Sequence, residues 1–323
     1  MKIFYQLLLP VLLLGLSACQ TTAKSTADKP CAPDYSALFD SVMQQERTWA
    51  GLHSKTIKLR GVKLAYSEGG PADGEVLVLL HGFTGDRNNW NRMAKYLTGQ
   101  YRVLIPDLPG HGDTKVGPEP DYSLSEMSQL MKAFVDALGL ERYHIAGNSM
   151  GGGLALQWAA FRPQQVVSLA LIDSAGLYEH EGEVIQQMKQ GNNQLLIRQV
   201  GDMHKMIDMA MADKPFLPRE LLAVMEQRQI ARYPTYQRIV DDLLDTQQRM
   251  STATFHMALK SLRMPVLILW GEQDRIFETP VIKELERNIK RSTTVIMPGI
   301  GHVPIFEAPK DAAEIYRSFL AAP

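Results

Sequence analysis

Ser149, Asp274 and His302 are far apart in the chain, yet together they hold the groups needed to attack a carbonyl carbon. Ser149 stands in Gly147-Asn148-Ser149-Met150-Gly151, a G-x-S-x-G pattern. The short apolar run 143–146 before it suits a buried strand, and residues 152–161 after it, rich in Ala, Leu, Gln and Trp, suit a helix. A strand-to-helix elbow lifts a serine hydroxyl above a sheet edge. The flanking glycines are expected to permit the strained backbone, and the helix N-terminus favours an oxyanion formed beside it. Such a serine becomes a nucleophile when an imidazole takes its proton and a carboxylate orients the imidazole.

The partners follow in the order serine, acid, histidine. The apolar run 265–270 is followed by Gly271-Glu272-Gln273-Asp274, and the run 293–297 by Pro298-Gly299-Ile300-Gly301-His302. Three candidate residues thus each lie just past a different strand, at one rim of a parallel sheet. Asp173, after the run 166–172, is a rival for the acid, and loop position and chain order favour Asp274. Asp107 opens a Pro-Gly-His-Gly turn, where an aspartate commonly braces the loop. His81 and His111 also sit in glycine-rich loops, but His81 precedes the serine, so loop bracing is expected of it. His53, His144, His180, His204 and His256 have no comparable setting and read as surface or satisfied core histidines. An oxyanion formed on Ser149 needs backbone donors. The His81-Gly82-Phe83 loop supplies the N–H of Phe83, and the residue after the serine supplies that of Met150.

A chain of 323 residues with 45% hydrophobic content can bury a large core. The net charge of −1 and the lack of a long basic run leave nucleic-acid binding without an electrostatic footprint. No HExxH, no Cys/His cluster with ligand spacing and no GxGxxG after a strand occurs, so neither a metal nor a dinucleotide cofactor is expected. No obligate protein partner is implied.

The N-terminus reads as an export signal. Met1-Lys2 is a short positive start, residues 3–16 are largely apolar, and Leu16-Ser17-Ala18-Cys19 closes the stretch. That ending resembles a bacterial lipobox, which implies acylation of Cys19 and, with Gln20 after it, retention at the outer membrane. Cys31 is then left unpaired. Residues 20–34 have the composition of a tether.

From about residue 55 to 172 strand-like and helix-like segments alternate, and the pattern resumes at Val266. This predicts a mostly parallel sheet wrapped by helices. The block between reads as helical, with Pro215, Pro218 and Pro234 as breakers. The expected organisation is a lipoprotein signal peptide over 1–18, a tether and lead-in segment over 19–50, and a core split into 51–174 and 263–323 around a helical cap at 175–262. The cap holds eight of the sixteen methionines. Met203, Met206, Ile207 and Ala210 share a helical face expected to line an acyl pocket or to pack the cap onto the core.

His81-Gly82-Phe83, Asp107-Leu108-Pro109-Gly110-His111-Gly112, the Ser149 elbow, Trp270-Gly271-Glu272-Gln273-Asp274 and Gly301-His302 resemble, in order, the landmarks of the α/β-hydrolase superfamily. Within it the chain resembles the bacterial lipases that include cold-adapted enzymes of Moraxella and Psychrobacter, and the animal membrane-bound monoacylglycerol lipases. That resemblance implies an α/β-hydrolase fold with an inserted helical cap, and cofactor-free hydrolysis of lipid carboxylic esters. It also implies Ser149, Asp274 and His302 as the triad, with the N–H groups of Phe83 and Met150 as oxyanion donors. A carbon–carbon hydrolase acting on ring-cleavage products is the alternative, since that branch shares the Gly-Asn-Ser-Met-Gly-Gly elbow. Its members usually carry Trp after the catalytic histidine, where this chain has Val303, and lack an export signal. A non-catalytic, envelope-anchored binding protein is a third reading, and it would have no reason to keep all three triad positions.

Overall fold

In the computed structural model, residues 34–118 and 120–322 are described. The signal segment, Cys19 and Cys31 lie outside them. The segments 76–80 and 266–271 are continuously apolar, which suits strands covered on both faces. They form β3 (Val76–Leu80) and β7 (Val266–Gly271) of an eight-stranded sheet. The others are β1 (Leu52–Leu59), β2 (Val62–Gly69), β4 (Arg102–Pro106), β5 (Tyr143–Asn148), β6 (Val166–Ile172) and β8 (Ser292–Met297). Their order is β1-β2-β4-β3-β5-β6-β7-β8. β4, β3, β5, β6, β7 and β8 run parallel, and β2 pairs antiparallel with both β1 and β4.

Side chains alternate between two cores. Val78 and Leu80 of β3 and Ile268 and Trp270 of β7 enter one face, while Leu77, Leu79, Leu267 and Leu269 enter the other. The helices covering these faces include α1 (Ser36–Trp49), the short α2 (Asn91–Ala94), α3 (Leu124–Ala137) and α4 (Met150–Phe161). The segment after the β3 loop begins as a 3-10 turn, Arg87–Trp90, closed by an Asp86 capping box. Both ends of that box are local side-chain bonds, which favour a tight turn over a long helix.

Between β6 and β7 the chain is helical: α5 (Glu183–Lys189), α6 (Asp202–Ala210), α7 (Arg219–Arg249) and α8 (Thr252–Ser261). After β7 come α9 (Pro280–Asn288), α10 (Pro304–Glu307) and α11 (Pro309–Leu320). Pro218 caps α7 as a breaker should, but Pro234 lies inside it and does not end it. Pro234 is exposed and leaves the carbonyl of Ile230 without its helical donor, while Tyr236, Ile239 and Val240 anchor the following turn in the core. Among the described residues no helix is long and apolar enough to cross a membrane.

Pro234→Ala should restore the missing helical bond. It is expected to raise stability by up to about 3 kcal/mol, less the smaller entropic gain proline gives by restricting the unfolded chain. Denaturant unfolding of both proteins measures the difference.

Candidate active site

The parallel strands end level, with Leu80 beside Gly147 and Asn148 beside Ile172. The loops after β3, β5, β6, β7 and β8 therefore open onto one rim. Four non-glycine residues among those described have positive φ. Arg60 is in the β1–β2 turn, while Thr84, Ser149 and Asp173 all lie in loops at this rim. Such conformations cost about 1–3 kcal/mol each and persist where the surroundings over-determine them.

Ser149 shows how. It holds φ 56° itself. Its N–H donates to the Ile172 carbonyl at 3.0 Å, and its carbonyl accepts the N–H groups of Gly152, Gly153 and Ala175 at 2.8, 3.1 and 2.9 Å. The flanking glycines serve close approach rather than the strained dihedral expected of them, since neither has positive φ. A Cβ on Gly147 would lie 2.1 Å from the Gly151 carbonyl oxygen, and one on Gly151 would lie 2.3 Å from that of Leu80. Gly82 backs onto the serine in the same way, its missing Cβ 3.2 Å from the Cβ of Ser149.

The imidazole of His302 and the carboxylate of Asp274 meet across two loops. Nδ1–H of His302 donates to Asp274 Oδ2 at 2.9 Å, and Asp274 Oδ1 accepts the N–H groups of Ile276 and Phe277 at 2.8 and 3.1 Å. Both residues are buried. With its proton held on Nδ1, the ring presents Nε2 as an acceptor, the form required of a base acting on a hydroxyl.

Two side chains that the sequence did not single out position this loop. Asn148 Nδ2 donates to the carbonyls of Ile172 and His302, both at 3.1 Å. The Glu307 carboxylate accepts the N–H groups of Gly301 and Val303, both at 3.0 Å, and those of Ala212 and Asp213 in the cap at 2.8 and 3.0 Å. The N–H of His302 itself donates to the Ala210 carbonyl at 2.7 Å. Asn148 is inside the elbow pattern, so its place beside the nucleophile is a local signal. Glu307 is an ordinary acid in a helical stretch, and no local signal marks it.

The rival acid is close by. One oxygen each of Asp173 and Asp274 and a ring nitrogen of His302 lie within 4.8 Å of one another. Asp173 Oδ1 accepts the Gly271 N–H at 2.9 Å. Burial, and next the Asp274 carboxylate, hold the Asp173 carboxyl well above the usual range, so it is the neutral member of the pair.

His81 and Asp107 brace the loop after β3. His81 Nδ1–H donates to the Gly82 carbonyl at 2.8 Å and Nε2 accepts the Leu108 N–H at 3.0 Å. Burial keeps His81 and His111 below the ordinary imidazole range, so both rings are neutral. The buried Asp107 carboxylate takes the Arg87 guanidinium, the Arg87 N–H at 2.8 Å and the Asp113 N–H at 2.7 Å. The Phe83 ring packs edge-on against His111 and Tyr236, with centroids 6.1 and 5.6 Å away, which fixes the backbone beside Ser149. The remaining histidines have structural partners where any is evident: His144 bonds Ser168, His180 bonds Glu278 and His256 bonds Glu284.

Ser149, Met150 and Phe83 line a largely apolar cavity of about 450 Å³, closed from the cap side by residues such as Leu195, Leu244 and Met250. The stripe Met203, Met206, Ile207 and Ala210 does not line it. Met203 and Ala210 are buried, and Met206 packs toward Ile185, Met209 and Ile276. The stripe is packing behind the cavity wall, against Ile185 of the cap and Ile276 after β7. A second, more polar cavity of about 310 Å³ abuts the first across Leu177, Leu244 and Phe277, and is lined also by His180, Lys189 and Gln248.

A carboxyl that is neutral in the folded chain and ionised in the unfolded one makes folding less favourable as pH rises. From about pH 4, the folded protein retains a proton that the unfolded chain has released, until the raised folded value is passed. Asp173→Asn keeps an acceptor for Gly271 and removes the titration. Its stability relative to the parent should therefore grow with pH by up to about 1.4 kcal/mol per unit. Urea unfolding at intervals from acid to mildly alkaline pH tests this, and a constant difference would contradict a neutral Asp173.

Residues 75–309 match the family described as alpha/beta hydrolase fold. The chain is 32% identical over 288 residues to Lipase 1 of Psychrobacter immobilis, covering 86% of this chain and 87% of that one. Among solved structures, a candidate lipase of Acinetobacter baumannii superposes with a TM-score of 0.85 at 38% identity, covering 91% of this chain and 98% of that one. A membrane phospholipase A superposes equally well, with a TM-score of 0.85 at 33% identity over 99% of this chain and 98% of that one. The match spans the elbow, the cap and the loops that carry Asp274 and His302, and the chain belongs to the α/β-hydrolase fold family.

Proposed function

We propose that this protein is a serine hydrolase of lipid carboxylic esters, acting through an acyl-enzyme on Ser149. One observation carries the reading: a serine held at positive φ on the wall of a deep apolar cavity, at the rim where an Asp274–His302 pair is built. The lipases and the phospholipase A among its relatives support the lipid ester as substrate. A cavity lined by Leu156, Val240, Leu243 and Leu244 offers an acyl chain apolar surface in place of water.

In this mechanism His302 Nε2 takes the proton from Ser149 Oγ as the oxygen attacks the ester carbonyl. Negative charge moves to the carbonyl oxygen, which the N–H groups of Phe83 and Met150 receive. Asp274 stabilises the imidazolium that forms. His302 returns the proton to the departing alkoxide as the carbon–oxygen bond breaks, leaving an ester on Ser149. Water then enters by the same route in reverse roles and releases the fatty acid.

The test is a series of p-nitrophenyl esters of increasing acyl length, beside mono- and triacylglycerol emulsions. Ser149→Ala and His302→Ala should each abolish turnover, and Asp274→Asn should lower kcat by about 10⁴-fold, the loss seen when such an imidazole is left in the wrong tautomer. Asp173→Asn should be mild by comparison. If Asp173→Asn is the severe variant and Asp274→Asn the mild one, the acid is misassigned. Turnover surviving Ser149→Ala would exclude the acyl-enzyme.

We also propose that Cys19 carries a lipid and holds the enzyme at the outer membrane. The reading is supported by Leu16-Ser17-Ala18-Cys19 followed by Gln20, and by the membrane association in the name of the phospholipase A relative. Metabolic labelling with a radiolabelled fatty acid should mark the parent and not Cys19→Ser, and equal labelling of the two would refute it.

A further inference from the structure

Two of the most exposed large apolar side chains belong to the wall of the apolar cavity. Phe161 is 71% exposed and Met257 is 68% exposed, and both line the cavity that holds Ser149. Phe161 ends α4, and Met257 is on α8, which packs against α4. Ser149 is the N-cap of α4, so the twelve residues to Phe161 place this exposed rim about 18 Å along the helix from the serine. The cavity is therefore a channel whose far end meets solvent at a phenylalanine and a methionine. Exposed apolar groups at the mouth of an apolar channel mark a contact with something apolar.

The charges around the mouth say what that something is. Arg162 follows Phe161, Lys260 is one helical turn after Met257, and Arg263 comes two residues after Ser261, which also lines the channel. Among the described residues none of these three cations is held in an ion pair. The Arg263 carbonyl accepts Arg291 Nη1 at 3.2 Å, which brings a fourth cation close. Asp136 and Glu284 on neighbouring helices are engaged with Lys132 and His256, and Glu179 in the loop after β6 with Arg287. In a chain whose net charge is −1, the cations at this mouth are a local excess.

We propose that the rim formed by Phe161 and Met257, with Arg162, Lys260 and Arg263 around it, seats the enzyme on an anionic phospholipid surface. The two apolar side chains enter the acyl boundary and the cations meet lipid phosphates, an arrangement typical of proteins that lie on one face of a bilayer. Seated this way, the channel opens directly into lipid, and an ester reaches Ser149 without crossing water. The inference rests on the proposed lipid-ester hydrolysis for its purpose, though the docking itself does not need the chemistry. Each Lys or Arg near such a surface is worth about a five-fold change in partitioning, so the three together act on the order of a hundred-fold.

The test uses the full chain reconstituted in phosphatidylcholine vesicles, with and without phosphatidylglycerol. Phe161→Trp reports insertion as fluorescence quenching by acyl-brominated lipid beyond that of the parent. Quenching should appear with phosphatidylglycerol, weaken as salt is added, and persist when Ser149→Ala is combined with it. The triple variant Arg162→Gln, Lys260→Gln, Arg263→Gln should hydrolyse a vesicle-embedded ester at least ten-fold more slowly, and a soluble butyrate ester at the parent rate. Absence of added quenching at Phe161→Trp, or equal loss on soluble and embedded ester, overturns the proposal. So does a blue-shifted Phe161→Trp in detergent solution without vesicles, accompanied by a dimer in sedimentation, which would make the rim a contact between copies. Failure of the parent to hydrolyse either ester would instead refute the proposed function, with the quenching still deciding the docking.

Discussion

The arrangement at the rim depends on one close contact, the packing of the first turn of α4 against the ends of β3 and β5. Gly147 and Gly151 lie so near each other and the Leu80 carbonyl that no side chain fits at either position. That closeness drives Ser149 into positive φ and sets its carbonyl to accept three N–H groups, one of them from Ala175 after β6. The loops after β3, β5 and β6 are thereby spaced relative to one another by backbone, before any side-chain chemistry is considered. Gly82 against Ser149 and Asn148 against His302 extend the same frame to the Phe83 loop and the imidazole. Backbone spacing tolerates less variation than side-chain contacts do, since a carbonyl cannot adopt another rotamer.

Much of this was legible in the residue order. The parallel strands announced themselves as short apolar runs, and Ser149, Asp274 and His302 stood just past three of them. The loop-bracing parts expected of His81 and Asp107 appear as hydrogen bonds to Gly82, Leu108, Arg87 and Asp113. What escaped had long-range causes. Pro234 reads locally as a stop, yet packing of Tyr236, Ile239 and Val240 carries α7 through it. The Met203–Ala210 stripe had the right period, but period gives only a shared face and not the partner that face meets. Glu307 gathers N–H groups from segments about ninety residues apart in sequence, and nothing near Glu307 in the chain announces that.

The electrostatics of the rim follow from putting two carboxyls beside one imidazole in a buried place. Two buried charges without a matching cation would be costly, and the structure divides the roles. Asp274 receives two backbone N–H groups and the His302 ring. Asp173 receives one N–H and is fully buried, so its proton stays.

Glu307 and the Ala210 carbonyl give the cap a further property. The carboxylate that ties Ala212 and Asp213 also ties Gly301 and Val303, and the His302 N–H rests on the last residue of α6. The far side of the cap is fastened as well, with Gln229 bonded to the Thr84 carbonyl at 2.7 Å and Arg232 to that of Gly112 at 2.6 Å. A rigid outward swing of the whole cap would therefore pull the imidazole off its carboxylate and disturb the loop behind Phe83. Roof and reactive groups form one mechanical unit. The stretch between Gly191 and Gly201, two glycines at positive φ, carries Leu195 on the cavity wall without any of these ties.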